Sequence, residues 1–279
     1  MTTPAMSVTH SSDSDTNLER MIAQRLEVAR AVVADAAGLA MAMRPPPGGP
    51  TGTTKGMQDY VTEADMAVEA LVSRRLETLF PEDGFMGEEG GRHRQGGLTW
   101  VIDPIDGTSN YARGRERWCV SLGLMHGDLP VAGVINAPAL SEIYTAQRGV
   151  GAWMNGRKLV ASPVTDPKSA MVEMGWSAKV SPETYARHAQ AFLDLGIAPR
   201  TGACGALALA DVASGRCDGY LEIAINLWDV AAALVLLEES GARVSPFLRD
   251  GGLTGARPIL ATAPGVAEAV AKAAGMELL

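Results

Sequence analysis

A chain of 279 residues with 47% hydrophobic and 20% charged side chains is long enough for one large domain or two closely joined ones, and apolar enough to bury a core. Its net charge of −8 argues against broad binding to nucleic acid or an anionic membrane, which needs basic surface, but leaves room for a small anionic substrate neutralised locally. The three cysteines, Cys119, Cys204 and Cys217, are odd in number, and no basic-then-apolar leader precedes them. Reduced thiols in a cytoplasmic protein are expected, and no apolar run approaches the ~20 residues of a membrane span.

Residues 1–16 are polar and rich in Ser, Thr and Asp, the composition of a flexible tail. Across 18–43, Leu18, Met21, Ile22, Leu26, Ala29, Val32 and Val33 recur at three- and four-residue steps, which predicts a long helix. The run RPPPGGPTGTTKG ends it, since prolines and glycines cannot continue a helix, and a loop of that length is commonly functional. A second helix is predicted over 62–80 and a buried strand over 98–102. Strands over 118–125, 131–136 and 143–146 follow, with HGDLP as a hairpin turn, and the Gly and Asn punctuation of 150–160 predicts another hairpin. Beyond about residue 162, strand-like 170–175 and 219–223 alternate with helix-like 182–195 and 206–214. A strong helix over 229–240 is stopped by Gly241. Helices and strands therefore mix, with a seam near 160 dividing a 17–160 unit from a 161–279 unit.

The stretch TWVIDPIDGTSNY carries the most chemistry. An apolar, β-prone run delivers Asp103 to a strand end, Pro104 fixes a bend, and Asp106 can converge on Asp103. Gly107 admits close backbone approach, and Thr108 is placed to cap a helical turn whose free N–H groups attract an anion. Strand-end carboxylates beside an anion-receptive turn suit a hard cation such as Mg²⁺ facing a phosphate. Asp-Pro and Asp-Gly are also ordinary turn dipeptides, so the stretch alone leaves both readings open.

Other acids gather around it. Glu88 and Glu89 stand in a glycine-flanked loop, GFMGEEGG, which read alone is a solvated acidic turn. Thr62 and Asp65 have capping-box spacing, and Asp229 opens an apolar helix as an N-cap would. Each structural reading is sound singly; together they leave four acidic clusters, each near a helix start or strand end, or in a loop leading to one.

With GEE, WVIDPIDGTSNY and LWDVAAALVLLEESGA in this order, the sequence resembles the inositol monophosphatase family of Mg²⁺-dependent, lithium-sensitive phosphatases, from about Leu18 to Gly252. Two residues separate the acids, unlike the DxDGT of haloacid-dehalogenase-like phosphatases. The resemblance implies a layered α-β-α-β-α sandwich of the inositol monophosphatase and fructose-1,6-bisphosphatase type. It implies a homodimer and two or three Mg²⁺ ions per site. By resemblance, Glu88, Asp103 and the carbonyl of Ile105 hold a first metal, and Asp106 and Asp229 join Asp103 at a second. Gly107 and Thr108 offer N–H groups to phosphate. Asp65 pairs with the Thr108 hydroxyl and, with Glu88, readies the attacking water. Glu222 holds substrate hydroxyls, and the backbone around Ala203, Cys204 and Gly205 contacts the sugar. The family usually has Gly-Ser or Gly-Thr where this chain has Ala203-Cys204, and a thiol is a poor donor. Inositol 1-phosphate is the implied substrate, with histidinol phosphate or another sugar or nucleotide phosphate as the alternative. A non-catalytic regulator that keeps the fold is the remaining possibility.

Overall fold

The computed structural model of the chain describes residues 13–48, 53–56, 59–249 and 253–279. Among them the helices are α1 (Asp13–Met43), α2 (Glu63–Leu79), α3 (Thr108–Ala112), α4 (Pro182–Asp194), α5 (Gly205–Ala213), α6 (Leu227–Ser240) and α7 (Ala267–Ala274). The strands are β1 (Thr53–Gly56), β2 (Asp59–Val61), β3 (Gly84–Gly87), β4 (Gly91–Arg94), β5 (Leu98–Asp106), β6 (Cys119–His126), β7 (Leu129–Ala137) and β8 (Glu142–Gln147). They continue with β9 (Gly151–Met154), β10 (Arg157–Lys158), β11 (Met171–Met174), β12 (Ala198–Arg200), β13 (Gly219–Ile225), β14 (Arg243–Val244) and β15 (Arg257–Thr262).

An eight-stranded sheet runs β10-β9-β8-β7-β6-β5-β3-β4, and a five-stranded sheet runs β12-β11-β13-β15-β14. Pairing in the large sheet is antiparallel except between β3 and β5, while β11 lies parallel to both β12 and β13. Helices α1 and α2 cover one face of the large sheet, α5 and α6 fill the space between the sheets, and α4 and α7 cover the outer face of the small one. The apolar residues cluster accordingly, which is the expected α-β-α-β-α layering. On α1 the predicted stripe is the buried one: Ile22, Ala29, Val32 and Val33 face the sheet. Arg25 interrupts that stripe, and both Asp83 oxygens accept from its guanidinium at 2.8 Å while Trp100 Nε1 donates to the same carboxylate at 2.9 Å. The pair fixes α1 to the turn that leads into β3.

Helix α6 comes unusually close to the large sheet. Gly123 on β6 and Gly133 on β7 are cross-strand partners, and a Cβ on either would lie 2.7 Å from the Ala231 side chain or 2.5 Å from the Ala232 carbonyl oxygen. The paired absence of side chains lets the helix lie flush, carrying its first turn to the end of β5.

Several boundaries differ from expectation. Helix α1 begins at Asp13, within the stretch expected as tail, and residues 1–12 of that tail lie outside the described residues. The last four residues of the Pro/Gly-rich run expected as a loop form β1, which pairs antiparallel with β2, a strand pair that periodicity alone did not signal. Strand β5 continues through Pro104 to Asp106. Its register slips between Asp103, opposite Ser121, and Asp106, opposite Cys119, so the proline occupies an irregular segment where its missing N–H breaks no ladder bond.

Candidate metal and phosphate site

The irregular end of β5 turns both of its carboxylates into one place. Asp103 Oδ1 accepts from the Ile105 N–H at 3.0 Å, an Asx-like turn around Pro104. Gly107 then takes a left-handed conformation (φ 85°) and acts as N-cap of α3. Thr108 is therefore the first helical residue and not the cap; its hydroxyl donates back to the Ile105 carbonyl at 2.8 Å. Asp229 arrives on the first turn of α6. The N-cap there is Asn226, three residues before the expected cap Asp229, and Asp229 Oδ2 accepts from the Asn226 N–H at 2.8 Å. Carboxylate oxygens of Asp103, Asp106 and Asp229 all lie within 4.8 Å of one another.

These groups are crowded and dry. Burial, then the charges of Glu88, Asp106 and Asp229, push the Asp103 carboxyl well above the ordinary carboxylate range. Burial and then Asp106 raise Asp229 to about 7. Burial also raises Asp106, opposed by the donors it collects from the second half of the chain: the Cys204 thiol at 3.1 Å and the Gly205 N–H at 3.2 Å. The Ala206 N–H completes that set at 2.5 Å. Like charges held this close in a low-dielectric setting are stabilised by a cation, and an all-oxygen donor set suits a hard divalent ion. The residues present thus fit a metal ion of the Mg²⁺ class.

The remaining predicted residues divide. Glu88 sits in the turn between β3 and β4, near enough to raise the Asp103 pKa. Glu222, on β13, accepts a hydrogen bond from the Tyr220 hydroxyl; burial raises its pKa to about 8, with Asp229 and Asp106 adding to the effect. Both therefore border the carboxylate cluster. The expected pairing of Asp65 with the Thr108 hydroxyl is not formed. Asp65 Oδ2 instead accepts from the Thr62 N–H at 2.8 Å and the Thr62 hydroxyl at 2.6 Å, closing the capping box of α2. Burial raises Asp65 to about 6. Nor does the Cys204 side chain face an open sugar site: it is buried against Asp106 and Cys119. Ala203 is exposed and left-handed (φ 55°), so the backbone keeps a shape that ordinarily calls for glycine.

One residue escaped the sequence reading. Glu69 is buried on α2, and its two oxygens accept the backbone N–H groups of Glu89 and Gly90 at 2.9 and 2.8 Å. Gly87 makes room, since a Cβ there would lie 2.3 Å from the Glu69 carboxyl carbon. Glu69 thus ties the turn that carries Glu88 to a rigid helix. The available signal was an acid inside an apolar stripe: Asp65, Val68, Glu69, Val72 and Leu76 share one helical face.

Comparison with known proteins accords with this geometry. The model of the inositol monophosphatase family matches residues 21–277. A protein named Nus factor SuhB from Xylella fastidiosa is 39% identical over 198 residues, 69% of this chain and 71% of that protein. Inositol monophosphatase 2 of Solanum lycopersicum is 36% identical over 220 residues, 75% of this chain and 82% of that protein. Among solved structures, Mycobacterium tuberculosis SuhB superposes with a TM-score of 0.76 at 32% identity, covering 90% of this chain and 95% of that one. With its layered sheets, its β5 carboxylates and a match over nearly its whole length, the chain belongs to the inositol monophosphatase family.

Proposed function

We propose that the protein hydrolyses a phosphate monoester, with inositol 1-phosphate as substrate, in a Mg²⁺-dependent reaction. The observation that carries the reading is the convergence of Asp103, Asp106 and Asp229 at the mouth of a helical turn. Glu88, Asp103, the Ile105 carbonyl, Asp106 and Asp229 would hold the metal ions. Bound divalent cations supply phosphate neutralisation and a more acidic water.

The chain's own groups do the rest. The N–H groups of Gly107 and Thr108, at the start of α3, donate to phosphate oxygens. The Thr108 hydroxyl, already on the Ile105 carbonyl, fixes that oxygen's direction. Glu88 accepts the proton of the attacking water. Water attacks phosphorus as the ester P–O bond breaks, and the freed alcohol takes up a proton. Glu222, made less acidic by burial and held by Tyr220, accepts hydrogen bonds from a polyol's hydroxyls.

Phosphate release from inositol 1-phosphate, histidinol phosphate, fructose 1,6-bisphosphate and 3′-phosphoadenosine 5′-phosphate, with and without Mg²⁺, tests this. Mg²⁺-dependent release led by inositol 1-phosphate supports it. Release led by another substrate retains the chemistry and moves the specificity, and trapping of phospho-enzyme in a rapid quench overturns direct attack by water. Relatives named Nus factor SuhB favour a second reading, a protein whose role is not catalytic. Folded, Mg²⁺-binding protein that releases phosphate from none of the four points to it.

A further inference from the structure

Behind the carboxylate cluster lies a second group of potential ligands with different chemistry. Cys119 opens β6 and Cys204 precedes α5, and both thiols are buried. Their sulfurs lie 3.9 Å apart, and Cys204 Sγ lies 3.1 Å from Asp106 Oδ2. One ligand atom from each of Asp106, Cys119 and Cys204 falls within 4.8 Å of the others.

We propose that Asp106, Cys119 and Cys204 form a binding site for a thiophilic divalent cation, Zn²⁺ or Cd²⁺, that shares Asp106 with the hard-cation site. Zinc–thiolate bonds of about 2.3 Å in a tetrahedral arrangement set the two sulfurs about 3.8 Å apart. The observed 3.9 Å matches that separation. Two sulfurs and one carboxylate oxygen give a soft, borderline donor set that prefers Zn²⁺ or Cd²⁺ to Mg²⁺. On binding, the two thiols lose their protons to solvent and the S–H···O bond of Cys204 is replaced by metal–ligand bonds, with no change of oxidation state. Entry is from the carboxylate cluster, since Asp106 belongs to both groups. Asp106 Oδ2 already faces the two sulfurs, so a thiophilic ion and Mg²⁺ compete for this carboxylate. That competition rests on the hydrolase reading; thiolate ligation does not.

The test is a titration of the full-length, metal-free protein with Cd²⁺, following the ultraviolet thiolate-to-cadmium charge-transfer band. The expected result is one equivalent bound, with the band lost in Cys119→Ser and in Cys204→Ser, kept in Cys217→Ser, and suppressed by excess Mg²⁺. Absence of the band in the wild-type protein, or its survival in both Cys119→Ser and Cys204→Ser, overturns the site. If a serine variant fails to fold, the alanine variants replace it, and cadmium NMR of the wild-type protein decides independently: a shift of two-sulfur ligation is expected, and an all-oxygen shift overturns the site. Calorimetry with Mg²⁺ alone separates the remaining cases. A protein that binds Mg²⁺ yet keeps the cadmium band in its excess overturns the sharing of Asp106. A protein that binds no Mg²⁺ but shows the band keeps the thiolate site and removes the proposed hydrolase.

Discussion

Ala203 holds a left-handed backbone, at φ 55°, in the loop against Gly107. An L-residue there costs about 1–2 kcal/mol, of which glycine's greater unfolded-state freedom returns about half. Ala203→Gly should therefore raise stability by roughly 0.5–1 kcal/mol in urea unfolding, and a loss would mean that the methyl group packs usefully. Asp103 presents the opposite case, a residue kept at a cost. Asp103→Asn removes one of several crowded buried charges, so the metal-free protein should unfold at a higher temperature above neutral pH. Mg²⁺-dependent turnover should fall by more than about 100-fold, since a ligand to the cation is lost. A variant that remains active would remove Asp103 from the site.

The element that sets the geometry of Glu88 is α2. Its capping box and apolar stripe were legible, because Thr62, Asp65 and the recurring Val68, Val72 and Leu76 follow helical spacing. The purpose of Glu69 in that stripe was not, since its partners are backbone groups about twenty residues onward, in the turn between two strands too short and glycine-rich to announce themselves. Glu69→Gln leaves the volume but sets an amide NH₂ against one backbone N–H. Mg²⁺ affinity measured by calorimetry should fall about 10–100-fold, the usual effect of disturbing a group that orients a ligand. Unchanged affinity with a lowered melting temperature would restrict Glu69 to structural support. Helix α3 teaches a related lesson. GT after the paired acids marked the turn correctly, but which residue caps it depends on the left-handed Gly107, a tertiary matter: a Cβ at Gly107 would lie 2.9 Å from the Arg117 carbonyl oxygen.

Across the whole molecule, the buried acids make stability depend on pH and on cations together. Asp65, Asp229 and Glu222 titrate near 6, 7 and 8, above their ordinary values of 3.8, 3.8 and 4.5. Over that interval the folded chain holds protons that the unfolded chain has released. Their contribution to stability is fully present below about pH 4 and is lost as pH rises through 6 to 8 in the absence of metal. A cation reverses the penalty, so the rise in melting temperature on adding Mg²⁺ should grow between pH 5.5 and pH 8; a rise that shrinks would contradict the ligand set. The layered order itself was legible through family resemblance more than through periodicity, because short strands such as β12 and β14 carry almost no pattern of their own. The chain passes from the eight-stranded to the five-stranded sheet between β10 and β11.

Asp106 spans that passage. It belongs to β5 of the first sheet, yet its oxygens accept the amide hydrogens of Gly205 and Ala206, about a hundred residues later, at the start of the layer between the sheets. The acid is a rivet as well as a ligand. Any breathing that parts the start of α5 from the end of β5 unseats the carboxylate in the same motion, and any ion that grips the carboxylate opposes the breathing. Deuterium uptake at the Gly205 and Ala206 amides would then serve as a local gauge of occupancy, slowing when the ion is bound while amides on the far edge of the molecule keep their pace.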